Sequence, residues 1–61
     1  MRDASEQPLR IVIADDHPIF LIGLRAVLER DEQVRIVGEA NSPQALAALL
    51  QRCPCDVLVT D

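Results

Sequence analysis

Two short apolar runs that lead into acidic residues restrict the folds open to this chain. The first, Leu9–Ala14, is followed by Asp15 and Asp16, and the second, Asp56–Thr60, is followed by Asp61. Short runs of nearly continuous apolar character are typical of strands covered on both faces. If the two strands are parallel and adjacent, all three acids gather at one edge of a sheet, outside the carboxyl ends where ligands of such sheets bind.

A helical pattern follows the first run. Pro18–Arg30 is predicted to be a helix, because Pro fits the first turn and an acid just before it suits the N-terminus as a cap and through the helix dipole. Ile19 and Ile22 widen its apolar face or mark a second contact surface. Gly23 costs about 1 kcal/mol relative to Ala inside a helix, which indicates close packing there. The predicted buried face consists of Phe20, Leu24, Val27 and Leu28.

A second strand and a second helix precede the last run. Val34–Ala40 mixes polar and apolar residues, which predicts an edge strand with one side in water. Ser42 is a natural N-cap and Pro43 a natural first helical residue, and the helix is expected to end near Arg52 because Pro54 cannot continue it. The alternation of strands and helices predicts an α/β fold with parallel strands and right-handed crossovers.

The size and charge of the chain exclude several classes of function. Its 61 residues allow one domain of marginal stability. The net charge of −4 and a single aromatic residue, Phe20, argue against nucleic-acid binding by this segment. No apolar run approaches the roughly 18 residues of a membrane span, and Met1–Gln7 lacks the apolar core of a signal peptide. We therefore expect a cytoplasmic protein without a membrane contact.

Two cysteines flank a proline before the last run. Cys53 and Cys55 are too close in sequence for relaxed disulfide geometry. They could supply two thiolates to a metal, but no second pair completes four ligands. The simpler interpretation is a pair of small, reduced residues in a turn.

The acids themselves predict a cation site. Three carboxylates within a few ångströms repel one another and need water, a proton or a cation in compensation. Mg²⁺ prefers oxygen ligands, and a carboxylate beside it can act as a nucleophile toward a phosphoryl group. Taken singly, Asp15 and Asp16 are better explained as a turn and a helix cap, and Asp61 as an exposed loop acid. Their placement at the ends of two strands favours the site.

At these residues the chain resembles a known family. Ile11–Pro18, with its Asp-Asp-His-Pro sequence, is similar to the opening of a response-regulator receiver domain. Together with Gly23–Arg25 and Val34–Ala40, it is most similar to the NarL/FixJ subfamily. Asp56–Asp61 resembles the third strand of that family and its phosphoacceptor aspartate. The resemblance covers Leu9–Asp61 and implies the βαβαβ portion of a flavodoxin-like, doubly wound parallel sheet.

The resemblance implies a role for each acid. Asp61 would be the phosphoacceptor, taking a phosphoryl group from a histidine of a sensor kinase or phosphotransfer protein. Mg²⁺ would be held directly by Asp16, mainly through water by Asp15, and by Asp61. His17 matches the subfamily pattern without a catalytic role, and we expect it to be a solvated residue near the helix start.

The chain also departs from the family. Residues 1–8 are expected to be a flexible lead-in, and residues 9–61 the N-terminal part of a receiver domain, truncated after its third strand. The resemblance implies that the remaining strands and helices of the family, with their site residues and the DNA-binding output domain, lie outside this segment. We therefore expect this segment alone to be inactive, and DNA binding to belong to the full-length protein. The uncovered third strand predicts self-association.

These observations favour a signalling phosphoacceptor of a two-component, DNA-binding transcription regulator. Such a protein is not an enzyme in the usual sense, although the intact domain would assist its own phosphorylation and dephosphorylation. One alternative is part of a Mg²⁺-dependent phosphatase or phosphotransferase with an aspartate nucleophile, a class that commonly places a second acid two residues after the nucleophile. Another is an oligomerising structural fragment with an unused acidic site.

Overall fold

The structure, a computed structural model, describes residues 7–60. Much of the predicted lead-in, and Asp61 with its predicted role, lie outside these residues. Neither described helix is long and apolar enough to cross a membrane. The elements are β1 (Leu9–Ala14), α1 (Pro18–Leu28), β2 (Val34–Ala40), α2 (Pro43–Arg52) and β3 (Val57–Thr60).

The three described strands form one parallel sheet in the order β2-β1-β3. Leu9 pairs with Val34 at one end of the β1–β2 ladder, and Ala14 pairs with Ala40 at the other. On the opposite side Ala14 also pairs with Thr60 of β3. The predicted α/β alternation, the edge position of β2 and the parallel pairing of the two acid-ended strands are therefore confirmed.

The core lies between β1 and α1. Ile11 and Ile13 of β1 are buried together with Leu21 of α1. Burial of these side chains is the main favourable term for the fold, since each fully buried aliphatic side chain contributes about 1.5–3 kcal/mol. Partly buried apolar residues surround this cluster, namely Leu24, Leu28, Val34, Ile36 and Val59.

The buried face of α1 differs from the predicted one. Leu21, Leu24 and Leu28 face the sheet at helical spacing. Phe20 is 47% exposed and Val27 63% exposed, so the prediction that they belong to the buried face is wrong. The physical reason is that α1 is apolar on nearly every side, which leaves no polar face to orient it.

Close packing occurs at the second glycine of the chain, not the first. A Cβ atom at Gly23 would meet nothing within 4 Å among the described residues, so the close packing predicted there is wrong. A Cβ atom at Gly38, on β2, would lie 2.7 and 2.9 Å from the two methyl groups of Leu49 on α2. Gly38 therefore lets α2 approach the sheet.

A β-bulge in β2 decides which side chains face each helix. Ile11 pairs with Ile36 but Val12 pairs with Gly38, so Val37 is the extra residue. A shift of one residue exchanges the two faces of a strand. After the bulge Gly38 therefore contacts α2, whereas Glu39 faces α1 and accepts a hydrogen bond from Arg25 at 3.1 Å.

The two glycines give a matched pair of substitutions. We expect Gly38→Ala to lower the free energy of unfolding by about 1–3 kcal/mol, because the new methyl group overlaps Leu49. Gly23→Ala should raise it by about 0.5–1 kcal/mol, because Ala is favoured inside a helix and the space is open. Urea titrations followed by circular dichroism measure both. Equal stability of the two variants would contradict the contact at Gly38.

Candidate functional site

The chain turns into α1 directly after the first acid. The backbone N–H of Asp15 donates to the carbonyl of Ala40 at 3.1 Å, so hydrogen bonding between β1 and β2 extends to this residue. The Asp15 carboxylate accepts the backbone N–H of His17 at 2.8 Å, a local turn typical of Asp. His17 is the N-cap of α1 and makes no side-chain cap. The predicted acidic cap is therefore wrong, because the Asp15 carboxylate stabilises the preceding turn instead.

The N-terminus of α2 lies at the same edge of the sheet. The Ser42 hydroxyl accepts the backbone N–H of Ala45 at 3.1 Å, and Pro43 is the first helical residue, as predicted. Ser42 follows β2 by only two positions, because Asn41 alone separates them. The carboxyl end of β2 and the start of α2 therefore flank the acids of β1.

These elements enclose a cleft of about 280 Å³ outside the carboxyl ends of the strands. Asp15 and Asp16, which directly follow β1, line this cleft, and so does Thr60, the last described residue of β3. The convergence predicted for β1 and β3 is thus present, whereas the position of Asp61 stays a prediction. The lining residues are Ala14, Asp15, Asp16, Asn41, Ser42, Pro43, Leu46 and Thr60.

The two adjacent acids have different surroundings. The side chain of Asp15 is only 4% exposed, whereas that of Asp16 points largely into solvent. The His17 ring bridges them, with Nδ1 at 2.5 Å from Asp15 Oδ1 and 2.9 Å from Asp16 Oδ1. His17 is exposed as expected, but its contacts with both acids were not predicted.

Sequence reasoning also missed Asn41 and Thr60 as residues of the cleft. Both stand at or just after the carboxyl end of a parallel strand. The acids were predicted from the rule that ligands of a parallel sheet bind outside the carboxyl ends of its strands, and this rule applies equally to polar side chains such as these. A search of every strand end for any oxygen-bearing residue, and not for acids alone, would have identified them.

The hydrogen bond from the His17 ring lowers the pKa of Asp15 below its usual value. Burial of the carboxyl opposes this effect, and the backbone N–H and the charge of His17 reinforce it. A carboxylate favoured by such donors is ionised at neutral pH. Asp15 therefore supplies a buried negative charge at the floor of the cleft.

The lowered pKa makes stability depend on pH below about 4, the ordinary pKa of Asp. The folded state binds a proton at Asp15 more weakly than the unfolded state does. The ionised Asp15 carboxylate therefore makes its full contribution to the free energy of unfolding above that pH. It is lost as the pH falls through the folded pKa. His17→Ala should raise the pKa of Asp15, which a carboxyl-carbon NMR titration measures. An unchanged titration in this variant would show that His17 is not the cause.

The donor set suits a small, hard cation. Ligand atoms of Asp15, Asp16 and His17 lie within 4.8 Å of one another, and two of these atoms are carboxylate oxygens. Mg²⁺ takes one or two protein carboxylates and keeps several waters, for which the open cleft leaves room. The residues present therefore fit such an ion, with Asp15 held in place by the turn and Asp16 accessible.

Comparison with known proteins finds several relatives of one name, although no family model matches the chain. The chain is 47% identical over 53 residues to the transcriptional regulatory protein RcsB of Salmonella typhi, covering 87% of the chain and 24% of that protein. The chain thus spans about a quarter of the length of the curated relatives of this name.

Solved structures agree with this similarity. The non-phosphorylated receiver domain of the stress response regulator RcsB from Escherichia coli matches with a TM-score of 0.85 and 44% identity, over 90% of this chain and 42% of that one. RcsB from Salmonella enterica serovar Typhimurium, bound to promoter rprA in the presence of phosphomimetic BeF3−, matches with the same score and identity over 90% of this chain and 27% of that one.

Proposed function

The chain is homologous to the N-terminal part of the receiver domain of NarL/FixJ-type response regulators and shares its flavodoxin-like fold, and from this we propose that it carries the phosphoacceptor half of such a domain. Asp61 accepts a phosphoryl group from a phosphohistidine of a sensor kinase or phosphotransfer protein. Asp15, Asp16 and Asp61 hold Mg²⁺ beside it.

One observation carries the proposal. Asp15 and Asp16, which follow β1, lie in a cleft that Thr60 at the carboxyl end of β3 also lines. Thr60 immediately precedes Asp61 in the sequence. Two strands that are distant in sequence therefore bring oxygen-bearing side chains to one cleft.

In the proposed phosphoryl transfer, Asp61 has a different role from Asp15 and Asp16. An oxygen of the Asp61 carboxylate forms the new bond to phosphorus as the bond from phosphorus to the histidine nitrogen breaks. A cation held by Asp15, Asp16 and Asp61 would offset charge on the phosphoryl oxygens. Asp15 is ionised and accepts the His17 backbone N–H, and Asp16 faces solvent, where it would be accessible to a hydrated ion.

An amide NMR titration of the chain with Mg²⁺ tests the site. We expect the signals of Asp15, Asp16 and Asp61 to shift in a saturable manner, because the ion binds their carboxylates. Asp16→Asn should weaken the response, since it removes a direct ligand. Glu32→Gln, an exposed acid in the α1–β2 turn, removes the same charge and should leave the response unchanged.

Either of two outcomes contradicts the magnesium site. One is a dispersed spectrum that Mg²⁺ does not change. The other is an equal loss of response in Asp16→Asn and Glu32→Gln, which would mean general screening of an acidic chain and not a defined site. The first outcome would favour the alternative of a structural fragment with an unused acidic cluster.

The open edge of β3 adds a proposal about assembly. Among residues 7–60, β3 pairs with β1 alone, and its Val57 and Leu58 are exposed. An apolar edge strand is a template for pairing with another strand. We expect the isolated chain to self-associate through β3, so that its mass in light scattering rises with concentration.

The regulatory role belongs to the longer proteins. Relatives of this chain are called transcriptional regulatory proteins, and one solved relative is bound to a promoter. We propose that a full-length protein containing this segment is a two-component transcription regulator and binds DNA through a different domain. The names of the relatives favour this role over a phosphatase or phosphotransferase with an aspartate nucleophile.

A further inference from the structure

Asp56 precedes β3 at the end of the sheet opposite the cleft, where it contacts Arg10 on β1. We propose that Arg10 and Asp56 are a positioning pair, which holds β3 in the register that brings the phosphoacceptor position beside the acids of the cleft. The consequence for phosphoryl transfer rests on the proposed function, whereas the register itself can be measured without it. Neither residue lines the cleft, so the pair acts through the position of β3.

The two residues are joined through both their backbones and their side chains. The backbone N–H of Asp56 donates to the carbonyl of Arg10, and the backbone N–H of Arg10 donates to Asp56 Oδ2, both at 2.8 Å. The guanidinium of Arg10 adds a bond of 3.3 Å from Nε to Oδ2 and one of 3.2 Å from Nη2 to Oδ1. The hydrogen bond and the charge of Asp56 raise the pKa of Arg10. Such a bidentate pair adds geometric specificity to the charge interaction.

Equal spacing along two parallel strands extends the effect of this contact to the cleft. Asp56 immediately precedes the first paired residue of β3, and Arg10 immediately precedes the partner of that residue on β1. Asp15 is five residues after Arg10 in the sequence, and Asp61 is likewise five residues after Asp56. Because the two strands rise by the same distance per residue, a contact that sets the start of β3 also sets the level of position 61.

The apolar side chains of β3 determine its buried face but not its register. Val59 packs against the core cluster, and Val57, two residues earlier, is 37% exposed. A shift of one residue exchanges the two faces of a strand, whereas a shift of two restores them. A shift of two toward the carboxyl end of β1 would put Val57 in the place of the identical Val59 and move position 61 by about 6.6 Å. The contact between Arg10 and Asp56, by contrast, exists in one register alone.

Few other contacts hold β3 in place. It has four residues, and within the described part of the chain it pairs with β1 alone. Leu58 is 39% exposed, so its burial contributes little. Segments with few buried apolar contacts open locally at a lower free energy than the rest of a fold. The pair at the start of β3 therefore provides a large share of what keeps the strand docked.

Interstrand NOEs in the isolated chain, recorded without Mg²⁺, test the pair. The contact between the backbones of Ala14 and Thr60 reports the register, and amide exchange in β3 reports how firmly the strand is docked. In Asp56→Ala, which removes the carboxylate, we expect this contact to be lost and the β3 amides to exchange about 10-fold faster or more. The contacts between β1 and β2 should persist. An unchanged contact between Ala14 and Thr60 in this variant overturns the proposal.

Arg25→Ala is the matched control, because it removes ion pairs of the same kind elsewhere. Arg25 contacts Glu29 at 3.0 Å and Glu39 at 3.1 Å, between α1 and β2 and away from β3. We expect the register of β3 and the exchange of its amides to remain as in the wild type. Equal effects of Arg25→Ala and Asp56→Ala on β3 would overturn the proposal, since the loss of any ion pair would then suffice.

Arg10→Ala decides the question if Asp56→Ala does not fold. This variant loses the guanidinium but keeps the backbone N–H that donates to Asp56. The β3 amides should therefore exchange faster than in Arg25→Ala, with a smaller change than complete removal of the carboxylate would cause. Exchange in Arg10→Ala no faster than in Arg25→Ala would overturn the proposal.

A Mg²⁺ titration followed by amide NMR then measures the consequence for the cleft. In Asp56→Ala we expect Asp15 and Asp16 still to respond, whereas Asp61 loses its response because β3 no longer brings it to the ion. A wild-type response of Asp61 in a variant that has lost the native register would overturn the positioning role. A wild-type chain with the native register and no response to Mg²⁺ would instead contradict the magnesium site and leave the register result standing.

Discussion

Asp61→Asn is expected to abolish phosphoryl uptake from acetyl phosphate in a full-length protein that contains this segment. The amide that replaces the carboxylate is not a nucleophile toward phosphorus, so no aspartyl phosphate can form at this position. Uptake should therefore fall to background. Mass spectrometry of the intact protein, with and without acetyl phosphate and Mg²⁺, measures it.

The control for this substitution is another exchange of Asp for Asn. Asp31 lies in the turn between α1 and β2, where its carboxylate accepts the backbone N–H of Gln33 at 2.8 Å. Asp31→Asn removes the same charge at a distance from the cleft and should leave uptake intact. Phosphoryl uptake that persists in Asp61→Asn at the wild-type level would refute the assignment of Asp61.

Ile13→Ala should unfold most of the chain. Ile13 has no exposed surface and lies in the buried cluster between β1 and α1. Truncation of a buried Ile to Ala lowers the free energy of unfolding by about 2–5 kcal/mol. A chain of this size rarely has more than about 3–5 kcal/mol in total. Loss of the folded circular dichroism signal in the absence of urea is therefore the expected result.

The same substitution six residues later is the matched control. Ile19 is 80% exposed on α1, so Ile19→Ala should change the free energy of unfolding by less than about 0.5 kcal/mol. Urea titrations of the two variants under identical conditions compare them. If Ile19→Ala were as destabilising as Ile13→Ala, the outer surface of α1 would have to be covered, by another copy of the chain for instance.

The order of elements could be predicted because each boundary has a local chemical signal. Pro18 and Pro43 each occupy the first helical position, and Ser42 caps the second helix. The apolar run of β1 ends where the acids begin. Such signals depend only on neighbours in sequence, which is why the strand and helix bounds were predicted closely.

The buried face of α1 and the bulge in β2 could not be predicted in this way. Phe20 and Leu21 are both large and apolar, and only the position of the sheet makes Leu21 the buried one. Likewise nothing near Val37 in the sequence shows that Glu39 will meet Arg25, because that contact depends on the register with β1. Both features are set by tertiary contacts, and local propensity does not determine them.

The candidate site could be predicted only in part, because some of its contacts are also set by the tertiary structure. Asp15 and Asp16 are identified by their place after a strand, and the parallel pairing of β1 with β3 brings the next strand end beside them. The contact of the His17 ring with both carboxylates depends on how tightly the chain turns after Asp15. That turn is a matter of side-chain geometry, which sequence spacing alone does not give.

The central place of β1 in the sheet has a consequence for how the chain is made. β1 is synthesised before either of its neighbours, yet it pairs with both. Its apolar residues, Ile11–Ala14, therefore leave the ribosome well before Val34–Ala40 is available to cover one side, and before β3 covers the other. Pairing over such sequence separations is slow and leaves apolar segments exposed to aggregation. During synthesis this strand is the natural target for a chaperone.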